Sequence, residues 1–261
     1  MKPDWSPLRR GEPTLGAFLS TGYPVNAEIV GLAGFDFVLI DLEHGMGSER
    51  DVLSQLHALE HTPAAAVVRV ESHERQRVHR ILDLGAHGIM FPRVHNAADA
   101  QACVEAMRYP PDGVRGVATL VRASGYGRNF TDYRDRTKSS LLTIVQIESA
   151  EAIANVEAIA AVDGVDALFI GPMDLTTSLG IFRQYDHPAY TDALARTINA
   201  ARRFGRALGI LLSSPDDFPR YYGLGFRLIT CGTDTSFLQT AARQTAEALR
   251  AALVPRATPP R

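Results

Sequence analysis

Gly34-Phe-Asp-Phe-Val-Leu-Ile-Asp41-Leu-Glu43-His44 is the stretch from which the fold can be read. Its centre, Phe37-Val-Leu-Ile40, is apolar without alternation, as in a strand covered on both faces. The run then stops at Asp41, Glu43 and His44, so polar groups gather at its C-terminal end. Counting this one as 35–43, similar runs recur at 14–20, 65–70, 88–94, 142–149, 167–174, 206–214 and 226–234. Amphipathic segments separate most of them, at 48–60, 74–84, 97–107, 150–161, 188–204, 215–222 and 235–253. Several carry start signals: Ser48 three residues before Asp51, Asn96 before Ala97, and Ser214 before Pro215.

Strands alternating with helices define the α/β class, and eight of them predict a (β/α)8 TIM barrel, whose usual size is about 250 residues. The competitor, a doubly wound open sheet, would bring Gly-x-Gly-x-x-Gly after an early strand, and none is present. The 261 residues are therefore expected to form a single barrel domain, with a core over 14–253 and a frayed tail over 254–261. The connection over 109–140 is too long for a simple link and reads as a lid, a binding loop or an interface segment.

Composition narrows the class. With 27 basic and 29 acidic residues the net charge is −2, which argues against a nucleic-acid partner. No apolar run spans a bilayer and the N-terminus lacks the apolar core of a secretory signal, so a cytoplasmic protein without membrane association is expected. Cys103 and Cys231 stand alone, without ligand spacing. Of the 27 basic residues only Lys2 and Lys138 are lysine, which leaves 25 arginines.

In a barrel the reacting groups sit at the C-terminal strand ends. Glu148 and Asp174 end two successive runs. Two hard oxygen donors suit Mg²⁺ or Mn²⁺, although carboxylates there could equally cap helices. Asp41 beside His44 could fix an imidazole tautomer or be structural, and Glu43 could orient the histidine or support the backbone. Arg69, at the end of a buried run, needs an anion, from the protein or from a substrate. Arg93 is expected in a structural ion pair. His57 and His61, and the other histidines, read as surface or packing residues. A Schiff-base aldolase needs a lysine inside the barrel. Lys2 lies in the N-terminal segment and Lys138 before the wrong end of a strand, so carbanion chemistry would have to be metal-assisted.

These residues resemble the HpcH/HpaI aldolase family, the class II, metal-dependent pyruvate aldolases, over about residues 14–250. The resemblance rests on Gly34–His44, Leu84-Gly-Ala-His-Gly-Ile-Met-Phe-Pro92, Tyr109-Pro-Pro-Asp-Gly-Val-Arg-Gly116, Gln146-Ile-Glu148-Ser and Phe169-Ile-Gly-Pro-Met-Asp174-Leu175. It implies an aldehyde-lyase that reversibly cleaves a 4-hydroxy-2-keto acid to pyruvate and an aldehyde through a metal-stabilised enolate. By that resemblance Glu148 and Asp174 hold a divalent ion, magnesium or manganese, with cobalt or zinc as alternatives. Arg69 contacts the keto oxygen, and His44 paired with Asp41 is the acid/base group. Gln146, Gly171, Pro172 and Met173 line the substrate site, and Glu43 and Asp83 support it. The family also implies a homo-oligomer, a hexamer or trimer, with a C-terminal helix exchanged between subunits. Its relatives suggest two alternative activities for the same enolate, an oxaloacetate-type decarboxylase or a citrate-lyase-β-like acyl-CoA lyase. Met173, where many members have Ala, and the His44-Gly45-Met46 sequence depart from the family pattern and reshape the pocket without removing a reacting group.

Overall fold

The computed structural model describes residues 4–253. Lys2 and the 254–261 tail lie outside the described residues. Eight parallel strands close into a barrel in chain order: β1 (Thr14–Leu19), β2 (Phe37–Asp41), β3 (Ala65–Arg69), β4 (Gly88–Phe91), β5 (Leu142–Ile147), β6 (Ala167–Ile170), β7 (Ala207–Leu212) and β8 (Leu228–Thr233). β8 returns to pair with β1, so no edge is left open.

The helices begin with α1 (Ser6–Arg9), which closes the foot of the barrel, and α2 (Pro24–Leu32). Next come α3 (Glu49–Leu59), α4 (Arg75–Leu84) and α5 (Ala97–Met107). The long connection holds α6 (Phe130–Ser140). After β5 come α7 (Ala150–Ala154) and α8 (Val156–Ala161), and after β6 come α9 (Pro172–Ser178) and α10 (Pro188–Phe204). The chain ends in α11 (Phe218–Leu224) and α12 (Asp234–Leu253).

Alternation along each strand sorts the core into two compartments. Phe18, Phe37, Leu39, Val67, Met90, Ile144, Phe169 and Leu228 fill the interior, with Trp5 and Leu8 of the foot beneath them. Val38, Ile40, Val68, Ile89, Val145, Leu168 and Ile210 face outward and pack under the helices. The interior rings need glycine opposite them: a Cβ on Gly16 would lie 2.5 Å from Phe37, and one on Gly209 would lie 2.4 Å from Phe169. The filled interior confines any site to the mouth.

Besides the one-turn α1, three helices were not legible from periodicity. α2 buries only Ala27, Val30 and Gly31 and leaves Val25, Ile29 and Leu32 in solvent, so its apolar stripe has no inward face to mark it. α6 is polar and buries only Thr137. α9 occupies the end of the run expected as strand over 167–174. Pro172, which needs no backbone donor and is preset for helix, ends β6 at Ile170 and starts the turn. α11 ends at Gly225, in the left-handed conformation.

The arginine excess has a structural use. Helices that run back along a parallel barrel end at its foot, where their last carbonyls lack partners. Arginines cap several of them. Arg9 Nη1 donates to Ser139 O of α6 at 2.7 Å, and Arg122 Nη1 to Leu84 O of α4 at 2.9 Å. Arg206 Nε and Nη2 donate to Ala160 O and Val162 O at the end of α8, at 2.8 and 3.0 Å. Arg227 Nη1 donates to Tyr222 O of α11 at 2.9 Å.

Candidate active site

Register sets the site. Asp41 and Arg69 are cross-strand partners on β2 and β3, and both face inward by alternation with Leu39 and Val67. Arg69 Nε and Nη2 donate to the two Asp41 oxygens at 2.9 and 2.7 Å. Its Nη1 lies 3.1 Å from Glu43 Oε2 and 3.5 Å from Gln146 Oε1. The guanidinium also sits over the Phe18 ring, 5.1 Å from its centroid. Arg69 is buried and is held by groups from β1, β2 with the loop that follows it, and β5.

Gln146 and Glu148 continue the lacing around the rim. Gln146 Nε2 donates to Glu148 Oε2 at 2.8 Å, and the Arg93 amide donates to Glu148 Oε1 at 2.7 Å. Ser149, not Glu148, caps the helix after β5, so the helix-cap alternative for Glu148 falls. Asp174 lies in the first turn of α9, not at a strand end, and it is exposed. Its charge reaches Glu148. Burial pushes the Glu148 carboxyl up to about 7, Asp174 and Glu43 add to the rise, and the Arg93 amide and Arg69 oppose it. Burial also raises Glu43, against the Arg69 charge.

A divalent ion fits this pair. Both donors are hard oxygens, and their negative charge is under-compensated. The space beside Glu148 is kept open by Gly171, on which a Cβ would lie 2.7 Å from Glu148 Oε2. Among the described residues no three or more His, Cys, Asp or Glu side chains form a metal cluster. Two carboxylates therefore leave the rest of a coordination shell to water or substrate.

The expected His44–Asp41 pair is not formed. Asp41 Oδ1 accepts from the backbone amides of Glu43 and His44, at 3.0 and 3.3 Å, and its remaining capacity goes to Arg69. The His44 ring is 67% exposed, and the carboxylate beside it is Glu43, 3.9 Å from Nε2. Asp83 is not at the mouth of its own barrel. It lies in the last turn of α4 and accepts from Arg115 Nη2 at 2.7 Å. Arg115 is wholly buried against Tyr109 and Tyr133. Together with the Arg122 cap on Leu84, this fixes the long connection to α4, leaving Val117, Leu120 and Tyr126 exposed. The ion pair expected for Arg93 is also absent. No side-chain partner for it occurs among the described residues, and its backbone is left-handed, with φ 52°.

Strand-end reading thus brought together Asp41, Glu43, His44, Arg69, Glu148 and Asp174, and the resemblance added Gln146, Gly171, Pro172 and Met173. Sequence reading missed the Arg93 amide, which donates to Glu148 Oε1. It also missed the steric need for Gly171, for which Gly-Pro after a strand was the available signal. Asp234, the remaining strand-end acid, is used structurally: it accepts from the Ser20 amide and hydroxyl, at 2.9 and 3.0 Å, and from Thr21.

A filled parallel barrel with a laced acid–arginine rim at its mouth carries its polar groups where barrel enzymes place their reacting groups. The profile of the HpcH/HpaI aldolase/citrate lyase family matches residues 14–241, and the chain belongs to that family. A hydroxypyruvate/pyruvate aldolase of Paraburkholderia phytofirmans is 41% identical over 94% of this chain and 96% of its own. A 4-hydroxy-2-oxo-heptane-1,7-dioate aldolase of Salmonella arizonae is 39% identical over 90% and 89%. The crystal structure of an HpcH/HpaI aldolase/citrate lyase family protein from Burkholderia cenocepacia superposes with a TM-score of 0.89. It is 41% identical and covers 94% of this chain and 98% of that one.

Proposed function

We propose that this protein is a divalent-metal-dependent aldolase that reversibly cleaves a 4-hydroxy-2-keto acid to pyruvate and an aldehyde. The observation that carries this reading is the fixed rim of Asp41, Arg69, Gln146 and Glu148, with Asp174 on the next turn and Gly171 keeping the adjacent space open. Glu148 and Asp174 would hold Mg²⁺ or Mn²⁺. Bound there, the ion would act as a Lewis acid toward the keto acid.

The chain's own groups supply the rest. The Arg69 guanidinium is already oriented and desolvated, so its charge meets developing negative charge on the keto oxygen at little reorganisation cost. The exposed His44 imidazole takes the proton of the C4 hydroxyl, the C4–O bond becomes the aldehyde carbonyl and the C3–C4 bond breaks. The electron pair of that bond forms the C2=C3 bond of an enolate, and the C2 carbonyl pair passes to the oxygen. Return of the proton to C3 gives pyruvate. Glu43, close to both Arg69 and His44, couples the two positions electrostatically. Gly171 and Met173 offer amides to the substrate carboxylate, whereas Pro172 has no N–H to give.

Purification with and without chelator, then pyruvate release from 4-hydroxy-2-keto acids, tests the reading. Activity should vanish with chelator and in Glu148→Ala, and return with added metal in the wild type only. Full activity in Glu148→Ala would sink the metal assignment. An acyl-CoA substrate would need basic side chains at the mouth. The arginines Arg9, Arg206 and Arg227 instead cap helix ends at the foot, Arg115 and Arg122 are tied to α4, and the exposed Arg93 beside Glu148 is a single cation rather than a basic cradle.

A homo-oligomer completes the proposal. Apart from Asp234, α12 buries nothing in its own chain, and it exposes Leu238, Leu249 and Leu253. α2 exposes Val25, Ile29 and Leu32 nearby. Apolar faces of this extent suit subunit contacts, and an exchanged α12 would cover them. No described helix is long and apolar enough to cross a membrane, which fits a cytoplasmic enzyme.

A further inference from the structure

The His44 ring is 67% exposed, so its position is set by the backbone that carries it. That backbone, residues 42–48, is neither strand nor helix, and it is tied down on both sides of the histidine. At its start the Leu42 amide donates to Arg69 O at 2.9 Å, and the Glu43 and His44 amides donate to Asp41 Oδ1. Beyond the histidine the chain leans on the loop after β1, where Met46 N donates to Ser20 O at 2.8 Å. Glycines allow this approach: a Cβ on Gly45 would lie 2.0 Å from Asp41 O, and one on Gly22 would lie 2.9 Å from Gly47 Cα. The loop after β1 is held in turn by one buried carboxylate. Asp234 Oδ1 accepts from the Ser20 amide and hydroxyl, and its Oδ2 accepts from the Thr21 amide at 3.3 Å, the Thr21 hydroxyl, and Asn26 Nδ2 at 3.3 Å. Burial works against its charge, but these donors hold the carboxyl below the ordinary range. Asp234 also begins α12, so the root of that helix and the His44 loop form one hydrogen-bonded unit.

We infer that Asp234 is a positioning residue: through Ser20 and Met46 it sets where the His44 imidazole stands. The assignment rests on the aldolase reading above, in which His44 takes the C4 hydroxyl proton. The keto-acid end is placed by other groups. Arg69, Gln146 and Glu148 are linked to one another, and among the described residues none of the three is hydrogen-bonded to Asp234, Ser20 or Thr21. A fault at Asp234 therefore reaches the base and leaves the groups that meet the enolate in place. Asparagine is the informative replacement, because it keeps the shape and turns one oxygen into an NH2 group. Turned either way, that group faces a backbone N–H, of Ser20 and Thr235 on one side or of Thr21 on the other. Hydroxyls can rotate to accept, but a backbone amide cannot. The loop must then shift, and a displacement of about 1 Å at a reacting group can cost about a hundredfold in rate.

The experiment compares wild type, Asp234→Asn and Thr21→Val in two reactions, with Mg²⁺ or Mn²⁺ present. Cleavage of a 4-hydroxy-2-keto acid needs a base for the C4 hydroxyl. Decarboxylation of oxaloacetate does not: its C3–C4 bond breaks, the C4 carboxylate leaves as CO2, and the bonding pair forms the enolate directly. In Asp234→Asn, kcat for cleavage should fall about ten- to hundredfold with KM little changed, while decarboxylation stays within about twofold of wild type. Thr21→Val keeps the carboxylate and removes one donor. It should move the ratio of the two reactions the same way by less, and it carries the test if Asp234→Asn does not fold. Adding Asp234→Asn to His44→Ala should cause little further loss of cleavage, since both changes act through one ring. Hydrogen exchange read by mass spectrometry should quicken in peptides covering 42–48 and stay unchanged over β5. An equal fall in both reactions, or exchange over 42–48 that matches wild type, would overturn the assignment. Absence of cleavage in wild type, with faster exchange over 42–48 in the variants, would strike the aldolase reading and leave the tie between Asp234 and the His44 loop standing.

Discussion

Neutralising Glu148 gives the most direct handle on the site. Its carboxyl is 7% exposed and is pushed from its ordinary 4.5 to about 7 by burial and by the charges of Asp174 and Glu43. Below pH 4.5 the acid is protonated in both folded and unfolded chains and contributes nothing to pH dependence. Between 4.5 and about 7 the unfolded chain releases the proton while the folded one keeps it, so stability falls as pH rises. Above about 7 both are ionised and the whole penalty is present, about 3 kcal/mol from the gap between the two values. For a domain of this size that is about 6–12 °C in Tm. A divalent ion on Glu148 and Asp174 would remove the penalty, but below about pH 7 it must displace the proton. Its affinity should then drop by about tenfold per pH unit. The assay is thermal unfolding from pH 5 to 8.5, with EDTA or with excess Mg²⁺ or Mn²⁺, for wild type and Glu148→Gln. Wild type without metal should lose stability toward neutral pH and regain it with metal, most strongly at pH 8. Glu148→Gln should show a flatter profile and little response to metal. Subtracting the two profiles isolates Glu148 from Glu43 and Asp166, which burial raises as well. A metal response in Glu148→Gln equal to that of wild type would refute the reasoning.

Other substitutions probe the remaining parts. Gly171→Ala puts a Cβ 2.7 Å from Glu148 Oε2. It should raise the metal concentration for half-maximal activity about 10–100-fold, a titration that would come out unchanged if the acid were not a ligand. His44→Ala should lower kcat by about 10²–10⁴-fold with little change in Tm, since the ring is exposed; a large loss of stability would mark it as structural instead. Arg115→Met leaves Asp83 without its partner, and because Arg115 is fully buried the cost should be about 3–5 kcal/mol in chemical denaturation. A loss below about 1 kcal/mol would mean that the connection is held by other contacts.

What the sequence revealed and what it hid follow from range. Phe37–Ile40 and Leu142–Val145 are buried on both faces, and such strands announce themselves by composition alone. Asp41, Arg69 and Glu148 follow from knowing where strands end. Which of them meet does not. Register pairs Asp41 with Arg69, and with that guanidinium occupied the His44 ring is left to Glu43. Asp83 looked like a site residue because it lies near a recognisable motif, but helix direction carries it to the foot. α2 was hidden because Val25, Ile29 and Leu32 lie in solvent while only Ala27, Val30 and Gly31 are buried, which blurs the helical stripe. Arg93 was misjudged as an ion-paired residue because a backbone φ cannot be inferred from its neighbours.

The arginine caps at the foot have a consequence for alkaline conditions. A lysine holding the same carbonyls would lose its proton near pH 10.4. Guanidinium stays charged throughout the range in which proteins are handled, so the ends of α4, α6, α8 and α11 keep their partners. The groups that resist high pH least are then the buried phenols. Tyr190 and Tyr221 share one hydrogen bond under α10 and α11, and burial raises both above the ordinary phenol range. Base-induced unfolding of this barrel should start from its buried phenols, Tyr109 and Tyr133 included, since burial raises those as well, and it should be visible as phenolate absorbance.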